Sequence, residues 1–360
     1  LAGNQMSMDR SNSLEIDTGP SYSIKFFENP VYRSELVLLV VSSEDLLATP
    51  VILNPQGLSF ANNAMLRLGS RVYSAVMKLN SASAVQEGVL EISGTDLNGN
   101  SASRVVRFPI ASVVNDDKLQ LSSSRLRVDF PANAFEQAFG SLAILPPNEV
   151  GDDRLSSEIR RSMGKLDITP KGELRKLRDL GQVSSSGLRL KKSAYVQLRL
   201  EKPLGDRHGI FLESSEGIKW LTGPGSGVRN FSIDGFGGLA VYEDLIAPKI
   251  EFDDSLELGT VESRNPKLEF KIHDSGSGVY LPTITAKLAG QAMGVDQLAD
   301  GVFQAKFSGN LARGSHQLEI QANDRLGNLS IQKANILIAG PIRLNAYAYP
   351  NPATEFVNIR

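Results

Sequence analysis

Val72-Tyr73-Ser74-Ala75-Val76-Met77-Lys78-Leu79 reads as a strand with one wet face and one dry face. Tyr73, Ala75, Met77 and Leu79 form the more apolar set, and Val72, Ser74, Val76 and Lys78 alternate against them. A period of two marks a half-buried strand, because successive side chains point to opposite faces of a sheet. Similar short runs surround it, at 23–27, 35–41, 51–53, 89–93 and 102–110. Breakers separate them: Asn29-Pro30, Pro50, Asn54-Pro55, Gly57, Gly69 and Asn98-Gly99. Short strands at this spacing with turn residues between them predict an antiparallel sandwich over 21–114.

Outward from there the pattern repeats with variations. Asn115-Asp116-Asp117 interrupts it, and a second region runs over 115–247. It opens with Leu126, Val128 and Phe130 alternating against Arg125, Arg127 and Asp129, and its later runs lie at 195–200, 209–214, 217–221 and 238–242. Within it, 152–165 is polar with Ile159, Met163 and the following Leu166 at helical spacing, which fits a short surface helix or an insertion loop. A third sandwich is expected over 248–340, with runs at 267–272, 283–288, 301–307, 316–322 and 333–338. Residues 1–20 read as a linker or loose edge, and 341–360 as the start of a further module. The predicted class is all-β: tandem immunoglobulin-like β-sandwiches in an elongated array.

Composition narrows the setting. The chain has 360 residues, 41% of them hydrophobic, enough for several packed cores. Basic and acidic residues number 38 and 40 and are interspersed, so no clustered basic face for nucleic acid is expected. No apolar run reaches the ~18 residues of a membrane helix. Cysteine is absent, as in a cytosolic protein or a secreted bacterial one that relies on its cores. Leu1 at the start and an unfinished strand pattern at Arg360 suggest a piece of something longer.

An internal repeat is the strongest signal. Glu91-Ile92 followed by Asp96, Gly99 and Asn100 recurs as Glu319-Ile320 followed by Asp324, Gly327 and Asn328, at a constant offset of 228 residues. Each copy reads as a hairpin in which Asp accepts local N–H groups and Gly takes a positive φ. This Asp-x-x-Gly-Asn ending after a Leu-x-Ile strand resembles the last hairpin of bacterial immunoglobulin-like domains on secreted proteins. Asp274-Ser275-Gly276-Ser277-Gly278-Val279 resembles the early strand pair of the same module. The middle region is similar to the sandwich shared by ankyrins and netrin receptors. It matches through Leu126 to Phe135, Ile218-Lys219-Trp220-Leu221 and Gly238 to Tyr242, and departs from it in the charged stretch 151–180. Tyr349-Pro350-Asn351-Pro352 and the residues to Ile359 resemble the first strand of the type IX secretion sorting domain of Bacteroidetes-type bacteria. That resemblance implies a secreted or cell-surface address and contact with secretion or anchoring machinery.

No residue is assigned a catalytic or cofactor-binding role. His208, His273 and His316 are the only histidines and lack metal-ligand spacing. Ser162 and Lys165 form an isolated Ser-x-x-Lys, and 223–227 reads as a glycine-rich turn. Trp220 and Tyr242 fit a sandwich core better than a sugar platform. Calcium is the one ligand with a physical case, at Asp96, Asn98 and Asn100, whose oxygens alternate along a loop turned at Gly99. Against it, the second copy carries Leu326 where Asn98 stands. The Asp116-Asp117 and Asp253-Asp254 pairs are further candidates at module junctions. The expected role is a non-enzymatic spacer. An adhesin or glycan-binding module with loops at 274–280 or 205–209, or a tail on a secreted hydrolase, is the alternative.

Overall fold

The computed structural model describes residues 19–339 except 30, 33, 61–63, 81–85, 116, 150–173, 215, 253–259 and 262. The N-terminal linker, the 152–165 segment, Asp116, Asp253-Asp254 and the C-terminal sorting-type sequence therefore lie outside the described residues. The described chain is all-β, apart from one 3-10 turn at Leu281–Thr283. It divides into two compact units, Leu1–Glu243 and Asp244–Arg360.

In the first unit, β1 (Tyr22–Glu28), β2 (Leu36–Ser42), β6 (Val72–Leu79) and β4 (Leu58–Phe60) form one sheet, with β5 (Leu66–Gly69) also on β6. A four-stranded sheet contains, in order, β16 (Val228–Ile233), β13 (Ala194–Arg199), β10 (Leu126–Phe130) and β9 (Leu119–Ser122). Between them runs a sheet of eight strands. Its order is β15 (Gly217–Thr222), β14 (His208–Ser214), β17 (Gly237–Asp244), β12 (Leu174–Ser185), β11 (Phe139–Leu145), β8 (Ser101–Val114), β7 (Gln86–Thr95) and β3 (Val51–Gln56).

Two hydrophobic cores share that long sheet. On β8, Val106, Phe108 and Ile110 belong to the core containing Tyr73 and Met77. Ala111 and Val113, one register step further, belong to the core containing Val128 and Val196. The neighbour β11 divides the same way: Ala143 and Leu145 join the first core, Leu142 and Ile144 the second. The register pairs Ala143 with Ile110 and Leu142 with Ala111. Cross-strand partners share a face and successive residues alternate, so the two cores lie on opposite faces of one sheet. The expected division at 114/115 coincides with the end of β8, but hydrogen bonding continues across it through the β8–β11 ladder.

The charged stretch that departs from a compact sandwich in sequence ends in a strand inside the sheet. Leu174–Ser185 lies between β11 and β17. Its Lys176 and Asp179 are accommodated as an ion pair, with Lys176 Nζ 2.7 Å from both Asp179 Oδ1 and Glu213 Oε1. Burial alone would lower Lys176, but the charges and hydrogen bonds of Glu213 and Asp179 hold it above its ordinary value. Burial pushes the Asp179 carboxyl up; Lys176 opposes this, and the Glu213 charge adds to it.

Gly237 opens β17 at φ 156°, and a Cβ there would overlap the Glu213 carbonyl oxygen of β14. Gly237→Ala must push a backbone atom rather than a side-chain tip, and should cost the first unit roughly 1–3 kcal/mol. A urea midpoint equal to wild type would contradict that close approach.

The second unit forms one hydrogen-bonded path: β18 (Lys249–Phe252), β20 (Lys267–His273), β23 (Val302–Lys306), β22 (Gln291–Ala299), β21 (Thr285–Leu288), β24 (Gly314–Asn323), β25 (Leu329–Ile338) and β19 (Thr260–Val261). The strand β22 pairs with β21 through Gln291 to Met293 and with β23 from Gly294 onward, so it passes from one layer to the other. The core between the layers includes Leu268, Phe270, Phe303, Leu318, Ile320 and Ile336.

Candidate functional site

The two repeat loops are built alike. Asp96 Oδ1 accepts the amides of Asn98 and Asn100 at 2.8 Å each, and its Oδ2 accepts Asn100 Nδ2 at 3.1 Å. Asp324 Oδ1 accepts the amides of Leu326 and Asn328 at 2.8 Å each, and its Oδ2 accepts Asn328 Nδ2 at 2.6 Å. Gly99 and Gly327 both turn the loop at positive φ, 90° and 88°. In both copies the Asp closes a hairpin joining a long antiparallel pair, β7–β8 in one and β24–β25 in the other.

What surrounds the Asp differs. In the second unit, which begins at Asp244, carboxylate oxygens of Asp244, Asp274 and Asp324 lie within 4.8 Å of one another. Asp244 and Asp324 are 0% and 1% exposed. Asp244 Oδ2 accepts the Ser277 amide at 2.7 Å, its Oδ1 accepts the Ile246 amide at 3.3 Å, and its carbonyl accepts Asn328 Nδ2 at 3.1 Å. Asp274 follows β20, and its Oδ1 accepts the amides of Gly276 and Gly278 at 2.6 and 3.1 Å. Its Oδ2 is buried without a hydrogen-bond partner, as is the Oγ of Ser277. Gly276 permits the close approach: a Cβ there would overlap the Asp244 carboxylate.

The donors to these groups described above are amides. Burial pushes the Asp274 carboxyl up to about 6, with the Gly278 and Gly276 amides opposing and the charges of Asp244 and Asp324 adding to the rise. Asp324 is also raised, by burial and by Asp244, despite its bonds to Asn328 and Leu326. Asp96 moves the other way: burial pushes it up, but the bonds from Asn100, Asn98 and Gly99 prevail and hold it below the usual carboxylate range. Among the described residues, the trio is the only group of three acidic or metal-ligating side chains gathered this closely.

The oxygens of Asp96 accept from the donors of its own loop, and among the described residues Asp96 belongs to no group of three closely gathered ligating side chains. Asp274 and Asp324 both fall in motifs that sequence reasoning quoted, but their convergence with Asp244 was missed. The offset repeat pointed to Asp324, whereas nothing local in the sequence joins residues 30 and 50 positions apart. His208 Nδ1 accepts the Gly205 amide at 3.1 Å, His273 Nε2 lies 3.7 Å from Glu251, and His316 Nε2 lies 2.7 Å from the Ala312 carbonyl oxygen. These are separate local contacts. In the 223–227 turn, Arg229 Nη2 donates to Thr222 Oγ1 and the Gly223 carbonyl oxygen. Tyr242 is buried, edge-on to Phe211 at 5.4 Å, and its hydroxyl donates to Glu213; Trp220 is half-buried on β15. Ser162 and Lys165 lie outside the described residues.

No family model matches the chain, and no curated protein matches it. Among solved structures, it is similar to FdeC, a broadly conserved Escherichia coli adhesin, at 12% identity over 89% of this chain and 97% of that one, with a TM-score of 0.22. It is similar to PcdhgB3 EC1-4 at 10% identity over 81% of this chain and 66% of that one, with a TM-score of 0.20. A Ca2+-stabilized adhesin with which an Antarctic bacterium binds ice aligns at 7% identity over 89% and 99%, with a TM-score of 0.19. Superpositions this loose carry no statement about what the chain binds. No helix among the described residues is long and apolar enough to cross a membrane.

Proposed function

We propose that this chain is a non-enzymatic presentation region of a secreted or surface-anchored bacterial protein. One observation carries the reading: two cores sit on opposite faces of a single eight-stranded sheet. In that arrangement the two sandwiches of the first unit cannot swing about a linker without breaking the β8–β11 ladder. A region stiffened in this way suits holding another part of a protein at a fixed distance. The Tyr349-Pro350-Asn351-Pro352 sequence supports an address outside the cell, through its resemblance to a type IX sorting domain. Secretion or anchoring machinery is then the partner of the C-terminal segment.

The test is replacement in the producing bacterium. Exchanging residues 21–339 for an unrelated β-sandwich array of similar length should leave secretion, surface exposure and whatever activity the remaining protein has unchanged. Loss of adhesion or glycan binding after the exchange, with secretion intact, would overturn the spacer reading.

It would instead favour a second reading, in which the region is itself an adhesin. That reading rests on Tyr280, 49% exposed at the end of the 274–280 loop, and on the exposed Leu281 that follows it. A glycan array probed with the 360-residue chain tests it directly, and Tyr280→Ala should abolish any signal that depends on this loop.

A further inference from the structure

Closing the hairpin takes one Asp, as the Asp96 copy demonstrates; the second copy brings three to the same place. Two of them are essentially sealed from solvent, and they accept hydrogen bonds from amides. Burying a carboxylate without a compensating charge is costly, so a cluster of this kind calls for a cation. Two polar atoms there also lack hydrogen-bond partners among the described residues. Asp274 Oδ2 is buried and unpaired while its Oδ1 is saturated by two amides. Ser277, 2% exposed, donates its amide to Asp244 but leaves its buried Oγ unmatched.

We propose that the second unit holds a calcium ion through Asp244, Asp274 and Asp324, with Ser277 Oγ as a neutral donor beside them. The ligand set is entirely oxygen, which suits a hard cation and disfavours zinc or copper, whose sites draw on imidazole and thiolate. Oxygens on opposite sides of a calcium ion, each about 2.4 Å away, are about 4.8 Å apart. All three carboxylates fall within that span. Magnesium, with shorter bonds and strict octahedral geometry, fits a buried and already hydrogen-bonded set less well. Two positive charges against three negative ones leave a net charge the surrounding amides can carry. The offset repeat supplies a built-in control, because the Asp96 loop has the same hairpin geometry without the extra carboxylates.

The experiment uses the 360-residue chain, stripped with EDTA and titrated with calcium chloride by calorimetry and by thermal unfolding. Expected is a saturable heat with one site per chain, and a dissociation constant of about 10⁻⁴–10⁻³ M. Calcium at about 100 times that constant should shift the unfolding equilibrium of the second unit about 100-fold. Asp274→Asn retains an acceptor oxygen for Gly276 and Gly278, so it should fold while losing both the heat and the thermal shift. Asp96→Asn should keep both responses, and magnesium should produce a smaller shift. The proposal is overturned if wild-type chain shows neither heat nor thermal shift at 10 times the upper end of that range. It is equally overturned if Asp274→Asn and Asp244→Asn both retain them. The wild-type titration decides the question even if a variant fails to fold.

Discussion

Lys176→Met is expected to lower the stability of the first unit by about 3–5 kcal/mol at neutral pH, the scale for removing one partner of a buried pair. Lys176 is shared between Asp179 and Glu213, and the side chains are only 21% and 12% exposed at either end of the pair with Glu213. Met fills the space of the aliphatic stem but leaves two carboxylates facing one another. Glu213 must also remain an acceptor for the Tyr242 hydroxyl, so it cannot turn away to water without breaking that bond. The pH dependence has a definite sign. Lys176 sits above its ordinary 10.5, so its contribution is fully present below that value and is lost as pH rises through its folded value. Asp179 is raised above 3.8, so the cost of its charge is absent below that value and develops as pH rises. The Lys176→Met deficit should therefore shrink as pH falls through the raised folded value of Asp179. Urea denaturation of both proteins at pH 4 and 7 measures it. A loss below about 1 kcal/mol at pH 7 would mean that the pair behaves as a solvated surface bridge. Replacing all three by Met, Asn and Gln should recover most of the loss, because a charge-free cluster needs no counter-ion.

This cluster also marks where sequence reasoning reached its limit. Half-buried strands were legible from alternation: 71–79 appears as Val72–Leu79, 102–110 as Ser101–Val114, and 316–322 within Gly314–Asn323. The strands that join the two cores were not. In β11, Leu142, Ala143, Ile144 and Leu145 are all buried, because each face covers a core, so the run shows no period at all. In β12 the charges of Lys176 and Asp179 resemble a solvated insertion, and only the distant Glu213 makes them compatible with a strand in the sheet interior. A central strand wet on neither side and a strand carrying internal charges are the two cases binary patterning cannot resolve.

The hairpin repeat was legible for a different reason. Its Asp, Gly and Asn act within five residues, so spacing alone carries the geometry, and the two loops agree bond for bond. The carboxylate trio depends on Asp244 at the start of the second unit, the loop after β20 and the β24–β25 hairpin meeting in space. Oxygens alternating along one loop, as at Asp96, Asn98 and Asn100, are legible from spacing. The trio gathers where separate parts of the chain converge, a convergence that local spacing does not encode.

The shared sheet has an energetic consequence that separates it from two sandwiches placed in series. Leu142 and Leu145 are both fully buried on β11, one facing each core. Truncating either to Ala should cost about 2–5 kcal/mol, the scale for emptying a well-packed site. In a series of independent domains, Leu142→Ala would shift only the transition of the second core and Leu145→Ala only that of the first. Here the β8–β11 ladder holds Ala143 against Ile110 and Leu142 against Ala111. Melting either core therefore strips one face of strands the other core needs. Both variants should move a single cooperative transition of the first unit, as should Leu38→Ala in the first core and Val128→Ala in the second. Their effects should add within about 0.3–0.5 kcal/mol for the well-separated pair Leu38 and Val128, and fail to add for Leu142 and Leu145, which lie on the same short strand. Tryptophan fluorescence gives one probe of this unit through Trp220 on β15, at the edge of the long sheet far in strand order from β3. A hydrogen-exchange probe on β2 gives another, on the sheet covering the first core. Coincident urea midpoints for the two probes, displaced together by every one of these substitutions, are the expected result. Two resolved midpoints, with Leu38→Ala moving one and Val128→Ala the other, would show that the cores unfold separately despite the continuous sheet, and the stiffness inferred from it would lose its basis.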